Sequence, residues 1–134
     1  MADLTITPAS VATSLGSQVS ATAGVSIAAG QAVYLDSTTN TLKLADADAA
    51  ASAAVVGIAV NSGSAGQPVT YQPVGLITIG ATVVTGTAYY LSSTAGGVCL
   101  ESDLVSGDYV TFLGIATSTT VIALNIVQSS VAKA

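Results

Sequence analysis

The sequence predicts an all-β protein: a small sandwich or barrel-like domain built from an internal twofold repeat, with an extended N-terminal arm. Three observations lead there. Short apolar stretches whose residues alternate two apart recur along the chain, which is the period of a half-buried strand. Stretches rich in Gly, Ser, Thr and Asn separate them and supply turn chemistry. Finally, one β phrase is written twice: GQAVYLDST at 30–38 matches GTAYYLSST at 86–94, Leu42, Lys43 and Leu44 fall on Val98, Cys99 and Leu100, and GIA at 57–59 falls on GIA at 114–116. Matched turns at matched internal positions point to one β unit used twice. The expected organisation is an arm over residues 1–24, a β domain over 25–128 with repeat halves of about 25–80 and 81–128, and a frayed tail over 129–134.

In chain order, Leu4, Thr5, Ile6 and Thr7 alternate as a short strand before Pro8, and this reading is preferred to a helical turn capped by Thr7 with Pro8 at its first position. Residues 9–24 keep no persistent period and read as an extended or adaptable arm. Val25 and Ile27 alternate. A strand over 31–35, a polar turn over 36–41 and a return through Leu42 and Leu44 make a hairpin. ADADAAASAA at 45–54 reads as a loop or one helical turn. Residues 55–60 form an apolar strand broken by Gly57. After a turn-forming run at 61–68, Val69 to Gln72 alternate and Pro73 interrupts, so that strand lies at an edge or ends there. Strands at 74–79 and 81–84 flank Gly80. The second hairpin turns through Ala95, Gly96 and Gly97, a polar connection spans 101–108, and strands follow at 109–116 and 121–127, the last with Ile122, Leu124 and Ile126 on one face.

Composition narrows the function classes. Of 134 residues, 51% are hydrophobic and only 7% charged, against roughly 25% charged in an average domain, and the mean hydropathy is +0.73. A chain of this length forms one domain and buries roughly 65 to 70% of its unfolded surface without disulfides. It has too few charges to coat itself, so part of its apolar surface is expected to be covered by other subunits. The longest apolar stretches are shorter than the about 18 residues a membrane helix needs, and the N-terminal residues do not resemble a secretory signal. The net charge is −5, with two Lys, no Arg and no His, which excludes phosphate neutralisation by a basic cluster and repels an anionic lipid surface. Neither nucleic acid nor membrane is an expected partner.

Candidate chemistry is sparse. Without His there is no Ser-His-Asp or Cys-His pair. The carboxylates of Asp46 and Asp48, or of Glu101 and Asp103, sit two apart in loops and read as solvated turn residues rather than a glycosidase pair or a Ca²⁺ loop. No phosphate loop or dinucleotide fingerprint is present, and no metal or other cofactor is expected. Cys99 aligns with Lys43 and is expected on the outward face, opposite Val98 and Leu100, where it reads as a small residue in a half-covered strand in preference to a thiol covered by a neighbouring subunit. Tyr71, between Pro68 and Pro73 on an expected edge, is a candidate exposed contact. The other tyrosines are expected to pack across the sheet.

The phrases GQAVYLD at 30–36, LKLAD at 42–46, GLITIGA at 75–81, AYYLS at 88–92, GGVC at 96–99 and GDYV at 107–110, with LTIT at 4–7, resemble small structural proteins of tailed bacteriophages, the head decoration or capsid cement proteins encoded beside a major capsid protein. The resemblance covers nearly the whole chain and is strongest at 30–36 and 75–127. Its motifs are structural and bring no catalytic or ligand residue. It implies a small β domain, often a homotrimer, made in the host cytoplasm and seated in the virion on the outer capsid surface, with the major capsid protein as partner. The residues expected to make capsid or inter-subunit contacts are Leu4, Ile6, Pro8, Val11, Tyr71, Pro73 and Cys99, with Leu4 and Ile6 as apolar anchors of the arm. The alternatives are a tail or head-fibre component, or a host or carbohydrate adhesion module. Against adhesion stands the scarcity of aromatics, 4% with no Trp.

Overall fold

The computed structural model describes residues 3–133. Met1, Ala2 and Ala134, the outermost residues of the expected arm and tail, lie outside the described residues. Within them the protein is all-β. A 3-10 turn at Pro8–Ser10 leads into β1 (Val11–Leu15) and β2 (Val19–Thr22), followed by β3 (Ala32–Asp36), β4 (Thr41–Leu44), β5 (Gly57–Ala59), β6 (Pro68–Gln72), β7 (Val74–Ile79), β8 (Ala88–Leu91) and β9 (Val98–Cys99). A second 3-10 turn, Glu101–Asp103, precedes β10 (Tyr109–Ala116) and β11 (Val121–Ala132).

The strands form two antiparallel sheets, one of six strands in the order β1-β7-β11-β10-β8-β9 and one of five in the order β2-β6-β5-β3-β4. Pairing follows the repeated phrase. Tyr34 faces Lys43 and Leu35 faces Leu42 in the first hairpin, while Tyr90 faces Cys99 and Leu91 faces Val98 in the second. Ala32 faces Ile58 and Val33 faces Gly57; Ala88 faces Ile115 and Tyr89 faces Gly114. The strand that follows each trio, β6 or β11, adds to the far side of β5 or β10. Next to it lies β2 in one sheet and β7 in the other.

Each sheet is curled and closed by an added segment. Ala23, just past β2, bridges Leu42 of β4, and the Gly24 amide donates to the Leu42 carbonyl at 2.8 Å. This joins the two edges of the five-stranded sheet around Ala23, Ile27, Val33, Leu42, Ala59 and Val69, all buried. On the six-stranded sheet the edges are β1 and β9, and the segment preceding β1 runs between them. Ser92 donates from Oγ to the Asp3 carboxylate at 2.7 Å, Leu4 N–H to the Val98 carbonyl at 2.8 Å and Thr7 N–H to the Gly80 carbonyl at 2.8 Å. The larger core lies under this sheet, where Ile77, Ile79, Tyr89, Leu91, Leu113, Ile122 and Leu124 meet Ala32 and Ile58 of the other sheet and Ala45, Ala47, Ala53 and Val55 of the loop between β4 and β5. Burial of each Leu or Ile there contributes roughly 1.5–3 kcal/mol.

The chain passes between sheets twice at one place. Residues 16–18 leave β1 for β2, and Pro73 alone leads from β6 to β7. At this crossing the fully buried Gln72 donates from Nε2 to the carbonyls of Val74 at 3.0 Å, Leu76 at 3.1 Å and, more weakly, Leu15 at 3.4 Å. Gly75, at φ +101°, has no room for a side chain, because a Cβ would collide with the Leu15 carbonyl and the Cα of Gly16. Two backbones touch there.

Several sequence expectations are corrected. Leu4 to Thr7 form no strand; Pro8 has no N–H to donate and its fixed φ starts the 3-10 turn instead, with Ser10 N–H bonded to the Thr7 carbonyl at 2.9 Å. Residues 9–24 do not stand off as an arm but supply β1 and β2, whose pairing with β7 and β6 outweighs a weak local pattern. Val25 is in no strand, and Ile27 makes an isolated bridge with Gly63. Residues 81–84 form no strand either; after Gly80 the chain turns, and Val83 plugs the core while its amide donates to the Thr119 carbonyl at 2.8 Å. Pro73 ends β6, but β6 is interior, between β2 and β5. The expected frayed tail continues β11 to Ala132, and Lys133 is tied by backbone bonds to Gly107 and Asp108. The hairpins, the strand at 109–116 and the inward row Ile122, Leu124 and Ile126 are as the sequence reads.

Gly75→Ala is expected to lower stability by about 2–3 kcal/mol through backbone strain plus collision. Gly66→Ala, at φ +88° with open space around it, carries strain alone and is expected to cost about 1 kcal/mol. Urea unfolding of both variants checks this, and equal losses would contradict a close crossing at Gly75.

Candidate assembly surface

The charged residues are Asp3, Asp36, Lys43, Asp46, Asp48, Glu101, Asp103, Asp108 and Lys133, and none lies in any strand of the six-stranded sheet. The inner face of that sheet is core. Its outer face is uncharged and largely apolar, because the strands alternate one apolar set inward and another outward, with Thr78 and Asn125 as polar members. One row runs across five strands through Leu15, Leu76, Ala123, Ile115 and Ala88. A second runs through Val127, Phe112 and Tyr90, and the Tyr90 and Phe112 rings meet edge-on with centroids 5.7 Å apart, a favourable cross-strand aromatic geometry. Val74 and Asn125 sit opposite each other between the rows. Leu15 is 68% exposed, Val127 54%, Val74 50% and Ile115 45%. A contiguous apolar face of this kind marks an interaction surface in a water-soluble setting. Edge strand β1 carries neither charge nor proline, the usual devices that keep an edge from pairing.

The seven contact residues expected from sequence are not gathered on this face. Leu4 and Ile6 are half-buried and pack on the larger core, while Pro8 is exposed in its 3-10 turn. These three line a cleft of about 240 Å³ with Gln31 and the hairpin turn at 94–97. Val11 is buried in the core. Tyr71 is half-buried on interior strand β6, packed against the smaller core over Gly57, and Pro73 is half-buried at the crossing. Cys99 pairs with Tyr90 of the outer row, yet it is not left at the surface. Cys99 is 1% exposed, because Leu4 bonds to its neighbour Val98 and the turn Glu101–Asp103 follows directly. Burial, with the nearby carboxylates of Asp3 and Asp103, pushes its thiol up to about 12, so it is inert as a nucleophile.

The acids serve local structure. Asp46 Oδ1 accepts from the Asp48 amide at 3.0 Å, and partial burial raises the Asp46 carboxyl above its usual range. Asp108 is buried and accepts from the Val105 amide at 3.0 Å. Asp36 and Lys43 form an ion pair at 2.6 Å, and their mutual hydrogen bond lowers the Asp36 carboxyl and raises the Lys43 ammonium. Among the described residues no three His, Cys, Asp or Glu side chains gather to hold a metal ion, and no helix is long and apolar enough to cross a membrane. A shallow cleft of about 360 Å³ is lined by hydroxyls, those of Thr5, Thr7, Ser10, Thr78, Thr82 and Thr120, with Gly80 and Ala81. It carries no charge and no aromatic ring.

The outer sheet face had one sequence signal: residues 49–100 and 109–132 contain no charged residue. Strands on such runs have no charge to turn towards water on either side. Set against known proteins, the chain matches no protein family and no curated sequence.

Cys99 is expected to resist a water-soluble thiol reagent at pH 8 in the folded protein and to react fully in denaturant, read by thiol titration. Its folded pKa is raised, so the stability it carries is fully present below its ordinary value of 9.0 and is lost as the pH climbs towards about 12. Cys99→Ala should lack that component of the loss. Rapid labelling of the native protein would contradict the burial.

Proposed function

We propose that this protein is a structural protein that acts by covering other protein surfaces, specifically a head decoration protein of a tailed bacteriophage that binds the outer surface of the capsid shell and bridges its subunits. The observation that carries this reading is the six-stranded sheet without a charge in any strand, whose apolar outer face is suited to burial against protein. The phrases at 30–36 and 75–127 that resemble decoration proteins give the reading its specific form. The major capsid protein is then the partner, the virion exterior the location, and buried area the source of stabilisation, with no catalytic step.

The matched strand pairings support a second part of the reading, that one five-stranded unit was used twice. In this view β2 to β6 and β7 to β11 are the two copies, and β1 with the segment before it was added to close the second. Residues 3–10 then act as a fastener of the domain rather than as a free tether to the shell. The adhesion alternative gains nothing from the hydroxyl-lined cleft, which lacks the aromatic platform that usually stacks on a sugar ring.

Shells stripped of decoration and mixed with the purified protein are expected to carry it down on sedimentation in a saturable, stoichiometric manner. Binding to the assembled shell should also raise the temperature at which the shells lose integrity, as for any partner that binds the assembled state alone. Binding to tails only, or to neither particle, would overturn the assignment.

A further inference from the structure

We propose that the cleft between the N-terminal segment and the second hairpin turn receives a cationic side chain, arginine or lysine, from an extended segment of another protein. None of the residues lining this cleft belongs to a strand of either sheet, so it is a second surface, independent of the outer sheet face. At about 240 Å³ it is smaller than the roughly 300 Å³ from which small-molecule sites begin, and it suits a single side chain.

The walls are apolar and fixed before contact. Leu4, Ile6 and Pro8 come from the N-terminal segment, and Ala29 from the stretch before β3. Leu4 is held by its amide bond to Val98 and Thr7 by its bond to Gly80, while Ile6 lies so close over Gly30 that a Cβ there would strike it. The aliphatic stem of a lysine or arginine packs well on such a surface, with its charged head carried to the end of the cleft.

The counter-charge there is Asp3, whose carboxylate lines the same cleft. Its Oδ1 accepts from Ser92 Oγ at 2.7 Å, and Ser92 Oγ in turn accepts from the Thr94 amide at 3.0 Å. Its Oδ2 rests against the turn at Gly97, where a Cβ would meet it. Among the described residues no ammonium answers this carboxylate. Lys43 is paired with Asp36, and Lys133 donates to the carbonyls of Leu104 and Glu101. Gln31 adds a contact for the main chain of the incoming segment. Its Oε1 accepts from the Ala28 amide at 2.8 Å, which leaves Nε2 to donate to a peptide carbonyl.

Charge selects the occupant. The chain carries −5, which draws a cationic segment towards it over a distance, and the carboxylates of Asp103 and Asp108 act with that of Asp3 on Cys99, at this same end of the molecule. A second copy is a poor occupant, because its two lysines are engaged within its own fold and it has no arginine.

Titration of the isotope-labelled full chain with a blocked tripeptide, arginine between two alanines, tests this by heteronuclear NMR at neutral pH and low salt. The same peptide with citrulline, a neutral isostere, is the comparison. The arginine peptide is expected to bind saturably in the millimolar range and to shift the amides of residues 3–7, 28–31 and 94–97. The citrulline peptide should bind about fivefold more weakly, the upper range for an ion pair open to water. Asp3→Asn keeps an acceptor for Ser92 and is expected to bind both peptides alike. Its amide spectrum reports whether the N-terminal segment stays docked. Should the segment loosen, Ala95→Lys, on the exposed hairpin turn, brings a cation to the cleft from within the chain and is expected to weaken the arginine peptide about fivefold. Equal binding of the two peptides by the wild type, the lack of any saturable shift, or shifts gathered around Asp46, Asp48 and Glu101 instead of the cleft would each overturn the proposal. Sedimentation with shells judges the shell reading separately, so either idea falls without the other.

Discussion

Two backbones in contact at the crossing beside Gln72 set the plan of this molecule. Where β1 passes to β2 and β6 passes to β7, Gly16 and Gly75 come too close for side chains, and the carboxamide of Gln72 ties three carbonyls from both passes. Among the described residues its Oε1 accepts no hydrogen bond, so a buried polar atom is tolerated to keep the amide where it is needed. Because the two passes share one place, the strands on either side sort cleanly. Residues 19–72 build the five-stranded sheet, and residues 74–132 with β1 build the six-stranded one. Each sheet can then curl and be closed by its own segment.

Much of this was legible in the residues. The two hairpins announced themselves through matched phrases and turn residues, and Tyr109–Ala116 has the bounds that its alternation suggests. What escaped were elements whose identity depends on distant partners. VATSL and VSAT contain mostly small residues with little periodic contrast, and they are strands because β7 and β6 offer open edges far along the chain. The repeat also misled at one position. Lys43 and Cys99 occupy corresponding places facing Tyr34 and Tyr90, but the edge strand at Lys43 leaves room for an ion pair with Asp36, whereas the N-terminal segment and the turn after Leu100 close over Cys99. Equivalent register does not give equivalent exposure when the segments that close the two sheets cover their edge strands differently.

The apolar outer sheet face was the feature least legible in the residues, for a physical reason. Apolar residues near the N-terminus suggested anchors, yet Leu4, Ile6 and Val11 are spent on the protein's own core. The surface left for others lies in the strands that alternate one apolar set inward and a second outward, such as Phe112 and Ile115 against Leu113 and Ala116. Absence of charge over long runs, rather than presence of any motif, is the trace such a surface leaves in a sequence. With its acids held in turns and its cysteine buried, the broadest feature at the surface is the uncharged sheet face, and the proposed role rests on what that area covers.

That role is tested most directly by an electron cryomicroscopy reconstruction of heads assembled with this protein. The account predicts density of this two-sheet shape on the outside of the shell, seated on it through the six-stranded sheet. Density confined to the tail, or a shell surface left bare at saturating protein, would contradict it.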